Sequence, residues 1–299
     1  MKWRGREQSK NVEDRRKGGG AAKVAAGGGI IAVVFFVFQF LAGGGDTTQL
    51  IQQAPQIIEM MQGQKVESQV DTSELTQAEK DQLEFVSVVL NDTEEVWEQI
   101  FKENGLTYKH PKFVLFSNAV QSACGNAGTS SGPFYCSADE TIYMDMAFFG
   151  QLGKQFNTNI GEFAIAYVIA HEVGHHVQHL LGVLKKTREL QSKVSEKESN
   201  EIMVAVELQA DFYAGLWANK TEEKEKRAGR GGFIETGDIQ DGLNAAATVG
   251  DDNIQKKTQG YVVPESFTHG TSEQRMYWFS RGFKTGDIRQ GDTFSELLK

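Results

Sequence analysis

His171, Glu172 and His175 stand at a spacing that suits metal chemistry. On an α-helix, residues four apart lie one above the other on one face, so both imidazoles can grip a single ion. Glu172 is rotated by about 100° from His171, given about 3.6 residues per turn. It can therefore reach a water beside that ion without being a ligand. Two histidines with such a carboxylate form the H-E-x-x-H pattern of zinc-assisted hydrolysis, with Glu172 as general base. The competing reading is a core helix whose histidines are satisfied by hydrogen bonds alone.

A catalytic zinc takes three protein ligands and leaves one position for water, so a third ligand is needed. His179 is eight residues beyond His171, about 12 Å along the same helix at 1.5 Å per residue, and too distant to share the ion. The longer H-E-x-x-H-x-x-G-x-x-H pattern would need histidine at 181, where Leu181 stands. His176 points off the ligand face; His176 and His179 are expected at the surface or in support, without a metal role. Glu207 is the better candidate. It lies in the helical pattern 201–217, four residues before Asp211, so the two carboxylates share a face. Glu207 completes a His-His-Glu set. Asp211 is placed to accept a hydrogen bond from the free ring nitrogen of a ligand histidine, fixing its tautomer, with His171 the expected partner. The small Ala210 and Ala214 allow the two helices to approach closely. The bland alternative for Glu207 is an ordinary solvated acid.

The elements that must position these groups are legible in outline. Phe163, Ile165, Tyr167, Val168, Ile169, Val173, Val177, Leu180 and Leu181 make the H-E-x-x-H helix apolar on most sides, as in a buried core helix, and Gly182 ends it. Thr76-x-x-Glu79 is a capping box that starts a helix running to Gly105. Strands are expected at 112–116, 134–136 and 141–146. Either 126–135 or 141–146 is the candidate edge that pairs with an extended substrate. The charged, glycine-rich stretch 220–232 is expected as an exposed loop. A helix follows near 236–249, and a capped helix runs from Thr271 or Ser272 to Phe283. In the loop before it, His269 is a candidate to stabilise a tetrahedral oxyanion; the alternative is a capping or packing role. Arg275 either orients nearby acids or anchors the loop.

The 299-residue chain has a net charge of −9. Residues 1–23 carry eight Lys or Arg against three acids, which leaves −14 downstream. That acidic balance argues against a nucleic-acid partner. Residues 24–45 are uncharged and long enough to span a hydrocarbon core of about 30 Å. The expectation is a single-pass anchor retained in a bacterial cell membrane. Residues 1–23 would then be a basic cytoplasmic leader, 46–75 a linker, and 76–299 a domain on the periplasmic or extracytoplasmic side. A cleaved signal peptide is the alternative, and Arg15-Arg16 fits a twin-arginine signal poorly. Cys124 and Cys136 are the only cysteines, and outside the cytoplasm they are expected to form a disulfide.

The motifs Lys2-Trp-Arg-Gly-Arg6, Asn11-Val-Glu-Asp-Arg-Arg16, Gly132-Pro-Phe-Tyr-Cys136, His171-Glu-Val-Gly-His-His-Val-Gln178, Glu207-Leu-Gln-Ala-Asp211 and His269-Gly-Thr-Ser-Glu-Gln-Arg275 occur in that order. Through them the chain resembles, nearly end to end, the bacterial neutral zinc metallopeptidases of the YpfJ-like family. The resemblance implies a single-pass membrane protein with a zincin-type domain, His171 and His175 as ligands and Glu172 as base. The Glu-x-x-x-Asp element is similar to that of gluzincins such as thermolysin, which supports Glu207. The expectation is thus an α+β zincin-like metallopeptidase domain with an N-terminal transmembrane helix. It would be a zinc metalloendopeptidase with one Zn²⁺ per chain, cleaving peptide or protein substrates. The alternatives are a membrane-anchored scaffold with structural zinc, or a zinc-dependent amidase or esterase.

Overall fold

The computed structural model describes residues 1–16, 75–156 and 160–298. The chain divides into two units, Met1–Asp14 together with Thr76–Lys299, and Arg15–Leu75. The expected anchor 24–45 and nearly all of the linker 46–75 lie outside the described residues. Among the described residues no helix is long and apolar enough to cross a membrane.

The first unit is a helix-rich α+β domain. Helix α1 (Gln77–Glu103) begins at the predicted capping box, with Thr76 and Glu79 satisfying each other's backbone N–H groups. One face of α1 is buried, including Phe85, Val86, Val89, Leu90, Trp97 and Ile100. Trp97 meets Tyr213 edge to face at 5.1 Å. The main sheet has four strands. Strands β1 (Val12–Asp14), β2 (Lys112–Leu115) and β6 (Thr141–Met144) run parallel, with Val12 opposite Phe113 and Lys112 opposite Thr141. Strand β5 (Phe134–Cys136) is antiparallel to β6 and ends the sheet. A separate hairpin joins β3 (Ala119–Ser122) to β4 (Gly125–Gly128). Cys124 lies at its turn and is disulfide-bonded to Cys136 of β5, so the expected staple forms.

The remaining elements are helical: α2 (Ala147–Phe156), α3 (Glu162–Leu180), α4 (Val183–Gln191), α5 (Glu196–Arg227), α6 (Asp238–Thr248), α7 (Asp251–Gln259), α8 (Ser272–Thr285) and α9 (Thr293–Leu297). Gly182 follows α3 in the left-handed region, at φ 75°, which favours glycine and ends the helix as expected. Helices α3 and α5 carry the H-E-x-x-H residues and Glu207. Their approach is close at Gly174, where an added Cβ would lie 3.1 Å from the Ala210 Cα and 3.2 Å from its carbonyl oxygen. The residue just before the second histidine is therefore small because the neighbouring backbone occupies its side-chain space. Trp217, Phe163, Tyr167, Phe212, Phe233 and Phe279 fill the core around these helices.

Three sequence expectations are corrected. The stretch 220–232 is not all loop: α5 continues to Arg227, with Thr221 and Glu225 buried. Of the two candidate edges, 141–146 is excluded because β6 lies between β2 and β5. Residues 1–14 are not a detached leader. Trp3 is buried against Phe85, β1 pairs with β2, and Arg6 reaches Asp92 at 2.5 Å and Glu225 at 3.2 Å. The basic side chains that suggested a free tail are partly spent on ion pairs inside the domain.

Candidate metal centre

His171, His175 and Glu207 converge, with one ligand atom from each within 4.8 Å of the others. The His171 Nε2 is 3.2 Å from one Glu207 oxygen, and the His175 Nε2 is 3.4 Å from the other. A tetrahedral ion with bonds of about 2.0–2.1 Å has ligand-to-ligand edges of about 3.3 Å, so this spacing fits zinc. The hydrogen-bond network fixes the tautomers in the same sense. The His171 Nδ1–H donates to Asp211 at 2.9 Å. The His175 Nδ1–H donates to the Gln178 side-chain oxygen at 2.9 Å. That amide is itself oriented, because its nitrogen donates to the Val206 carbonyl and to Gln209. Both Nε2 lone pairs then face a carboxylate, an arrangement that calls for a cation between them.

Electrostatics agree. Burial alone would lower the His171 pKa, but Asp211 and Glu207 outweigh it and raise it to about 10. His175 is likewise raised, its burial outweighed by Glu207. Burial would raise Glu207, yet the facing His175 and His171 hold it well below its ordinary value. A buried anion facing two basic nitrogens favours positive charge at this point.

Asp211 is fully buried and is the hub behind the site. It accepts from the Tyr167 hydroxyl at 2.5 Å, from the His171 Nδ1–H, and from Arg275 through Nε at 2.8 Å and Nη2 at 2.9 Å. Burial would raise its carboxyl, but Arg275 and His171 depress it to about 2. Arg275 thus orients this acid, one of the two roles expected of it. Tyr167 was legible only as an apolar-face residue; its spacing four before His171 was the available signal.

Glu172 lies outside the ligand cluster, buried at the same cleft. Burial raises its pKa, against the lowering pull of His175 and His171. His176 is fully buried, so of the two positions expected for it the surface one does not hold. Its Nε2–H donates to the Lys109 carbonyl at 2.6 Å, and its Nδ1 accepts from the Tyr135 hydroxyl at 2.9 Å. It therefore holds Tyr135, and burial pushes its pKa down to about 4. His179 is half-buried beside Glu140 and outside the cluster.

The cleft has a volume of about 650 Å³ and is lined by His171, Glu172, His175 and Glu207, with Phe134 and Tyr135 of β5 on one side and His269 on another. His269 is held by Asp251, whose carboxylate accepts from the His269 Nδ1 at 3.2 Å and from the backbone N–H groups of Thr268, His269 and Gly270. The bond to Asp251 raises the His269 pKa above its ordinary value. Nothing in local periodicity pointed to Asp251, which lies eighteen residues before its partner.

The site has the ligand set of H-E-x-x-H metalloproteins in which a second helix supplies a glutamate. Residues 1–294 match the family described as "Putative neutral zinc metallopeptidase". The chain belongs to that family, so zinc and peptide or protein substrates are the chemistry that membership implies. It is 41% identical to the uncharacterized protein YpfJ of Escherichia coli K12 over 298 residues, covering the whole of both chains. It is 43% identical over 208 residues to the uncharacterized protein Rv2575 of Mycobacterium tuberculosis H37Rv, covering 69% of this chain and 68% of that protein. No solved structure matches.

Proposed function

We propose that the protein is a zinc metalloendopeptidase, with one ion per chain held by His171, His175 and Glu207 and with Glu172 as general base. The observation that carries this reading is the division of labour among four groups that line one cleft. Three ligand atoms converge, and the fourth group, the Glu172 carboxylate, stays out of the cluster while facing the same cleft. A structural zinc normally closes all four positions with protein ligands. Among the described residues the cluster contributes three, which favours hydrolysis over the scaffold alternative.

When bound, zinc supplies Lewis acidity toward the substrate carbonyl and a low-pKa water. The chain's own residues do the rest. Glu172, raised by burial, takes the proton of the attacking water and passes it to the leaving amine. Asp211 fixes the His171 ring, and Gln178 fixes that of His175. Strand β5 ends the sheet at the cleft, so an extended peptide can add to it as a further strand and reach the metal side. His269, oriented by Asp251, donates to the oxyanion that develops on the carbonyl oxygen. Attachment to a bacterial membrane through residues 24–45, with the domain outside the cytoplasm, also belongs to this proposal. The uncharged stretch supports the attachment, and the Cys124–Cys136 disulfide supports the compartment.

The test is Glu172→Gln in the full chain, measured by zinc content and by cleavage of casein and peptide libraries. Zinc is expected to stay at one per chain while hydrolysis disappears. Full activity in the variant would remove Glu172 from its assigned role.

A further inference from the structure

We infer that residues 1–14 and the folded domain lie on the same side of any membrane the protein meets. This is independent of the peptidase reading.

The two parts form one structure. Strand β1 is a member of the main sheet, and the Phe113 N–H donates to the Asn11 carbonyl at 2.9 Å. The Ser9 N–H donates to the Ser87 carbonyl of α1 at 2.9 Å, and the Lys2 N–H donates to the Phe233 carbonyl at 2.8 Å. Trp3 is buried, with its ring 5.4 Å from that of Phe85. The Met1 amine lies 2.9 Å from Glu235 and 3.2 Å from Asp238. None of these contacts can form across a hydrocarbon core of about 30 Å.

The chain therefore leaves the domain after Asp14 and returns at Thr76 on one side. A double crossing would satisfy this, but it needs about 40 apolar residues at some 20 per span. The uncharged stretch has 22, from Val24 to Gly45. The positive-inside argument for a cytoplasmic leader treats the basic residues as a free tail. Arg4 pairs with Asp81, and Arg6 with Asp92 and Glu225, so these cations serve the fold.

The experiment introduces Gln8→Cys or Glu223→Cys, both exposed, one at a time in the full chain. Cys124 and Cys136 are bonded to each other, so a thiol probe reads the new site. A membrane-impermeant maleimide is applied to spheroplasts and to lysed cells. Both positions are expected to behave alike, labelled before lysis or only after it. Labelling of one before lysis and the other only after would overturn the inference. As a second measurement, Trp3→Ala in the full chain should lower the Tm by about 6 °C or more. An unchanged Tm would mean that the N-terminal residues are not part of the folded unit, and would equally overturn it.

Discussion

Asp211→Asn tests the hub behind the metal centre. The substitution preserves volume and removes the charge. Asp211 accepts from three partners: Tyr167, His171 and, through two nitrogens, Arg275. An asparagine can keep its oxygen toward Tyr167 and His171, but its amide then faces the Arg275 Nε–H, donor against donor. The buried guanidinium also loses its counter-ion. Breaking one side of a buried pair costs about 3–5 kcal/mol. Loss of a carboxylate behind a ligand histidine lowers metal affinity about 10–100-fold. At fixed excess zinc, that is about 1.4–2.8 kcal/mol less stabilisation by the metal. Urea unfolding with and without zinc, together with a chelator competition titration, separates the two effects. An unfolding free energy within about 0.5 kcal/mol of wild type, with unchanged zinc affinity, would refute the assigned role. The pH dependence has a definite sign. The folded pKa of Asp211 is depressed from 3.8 to about 2. Its contribution is therefore full above about pH 4 and is lost as pH falls through about 2. Asp211→Asn should flatten that acid limb.

Other substitutions probe the remaining parts. Gly174→Val places a side chain against the Ala210 backbone, where even a Cβ meets atoms at 3.1–3.2 Å. It should cost about 1–3 kcal/mol in denaturant unfolding and weaken zinc binding, because separating α3 from α5 moves Glu207 away from the histidines. His269→Ala should lower kcat about 10²–10³-fold with zinc content unchanged, as expected for loss of an oxyanion donor; unaltered kcat would return His269 to a packing role. Replacing Cys124 and Cys136 together by serine should cost roughly 3 kcal/mol of stability by releasing the β3–β4 hairpin from β5, read by thermal unfolding under oxidising conditions.

Local signals made the site legible. The i, i+4 spacing put His171 with His175 and Glu207 with Asp211. The alanine at 210 announced a close helix approach, although its partner across the interface, Gly174, was visible only in three dimensions. The capping boxes at Thr76 and Thr271 located two helix starts, because side chains satisfying the first backbone N–H groups are written in consecutive residues. What was missed depends on distant partners. Strand β1 has only three residues, too few to show a period of two, and its pairing spans about a hundred positions. Arg6 looked like part of a basic tail because Asp92 and Glu225 are remote in sequence. The end of α5 looked like loop because its charges mask a face on which Thr221 and Glu225 are buried. His176 sits next to a ligand yet points elsewhere, into a pocket made by Tyr135 and Lys109.

The central claim is that one cation sits among His171, His175 and Glu207. Anomalous diffraction at the zinc edge, from crystals of zinc-loaded protein, tests it most directly. A single peak per chain is predicted, about 2.0–2.2 Å from the Nε2 atoms of His171 and His175 and from a Glu207 oxygen, with Glu172 uncoordinated. A peak coordinated elsewhere, or none at these three residues, would contradict the account.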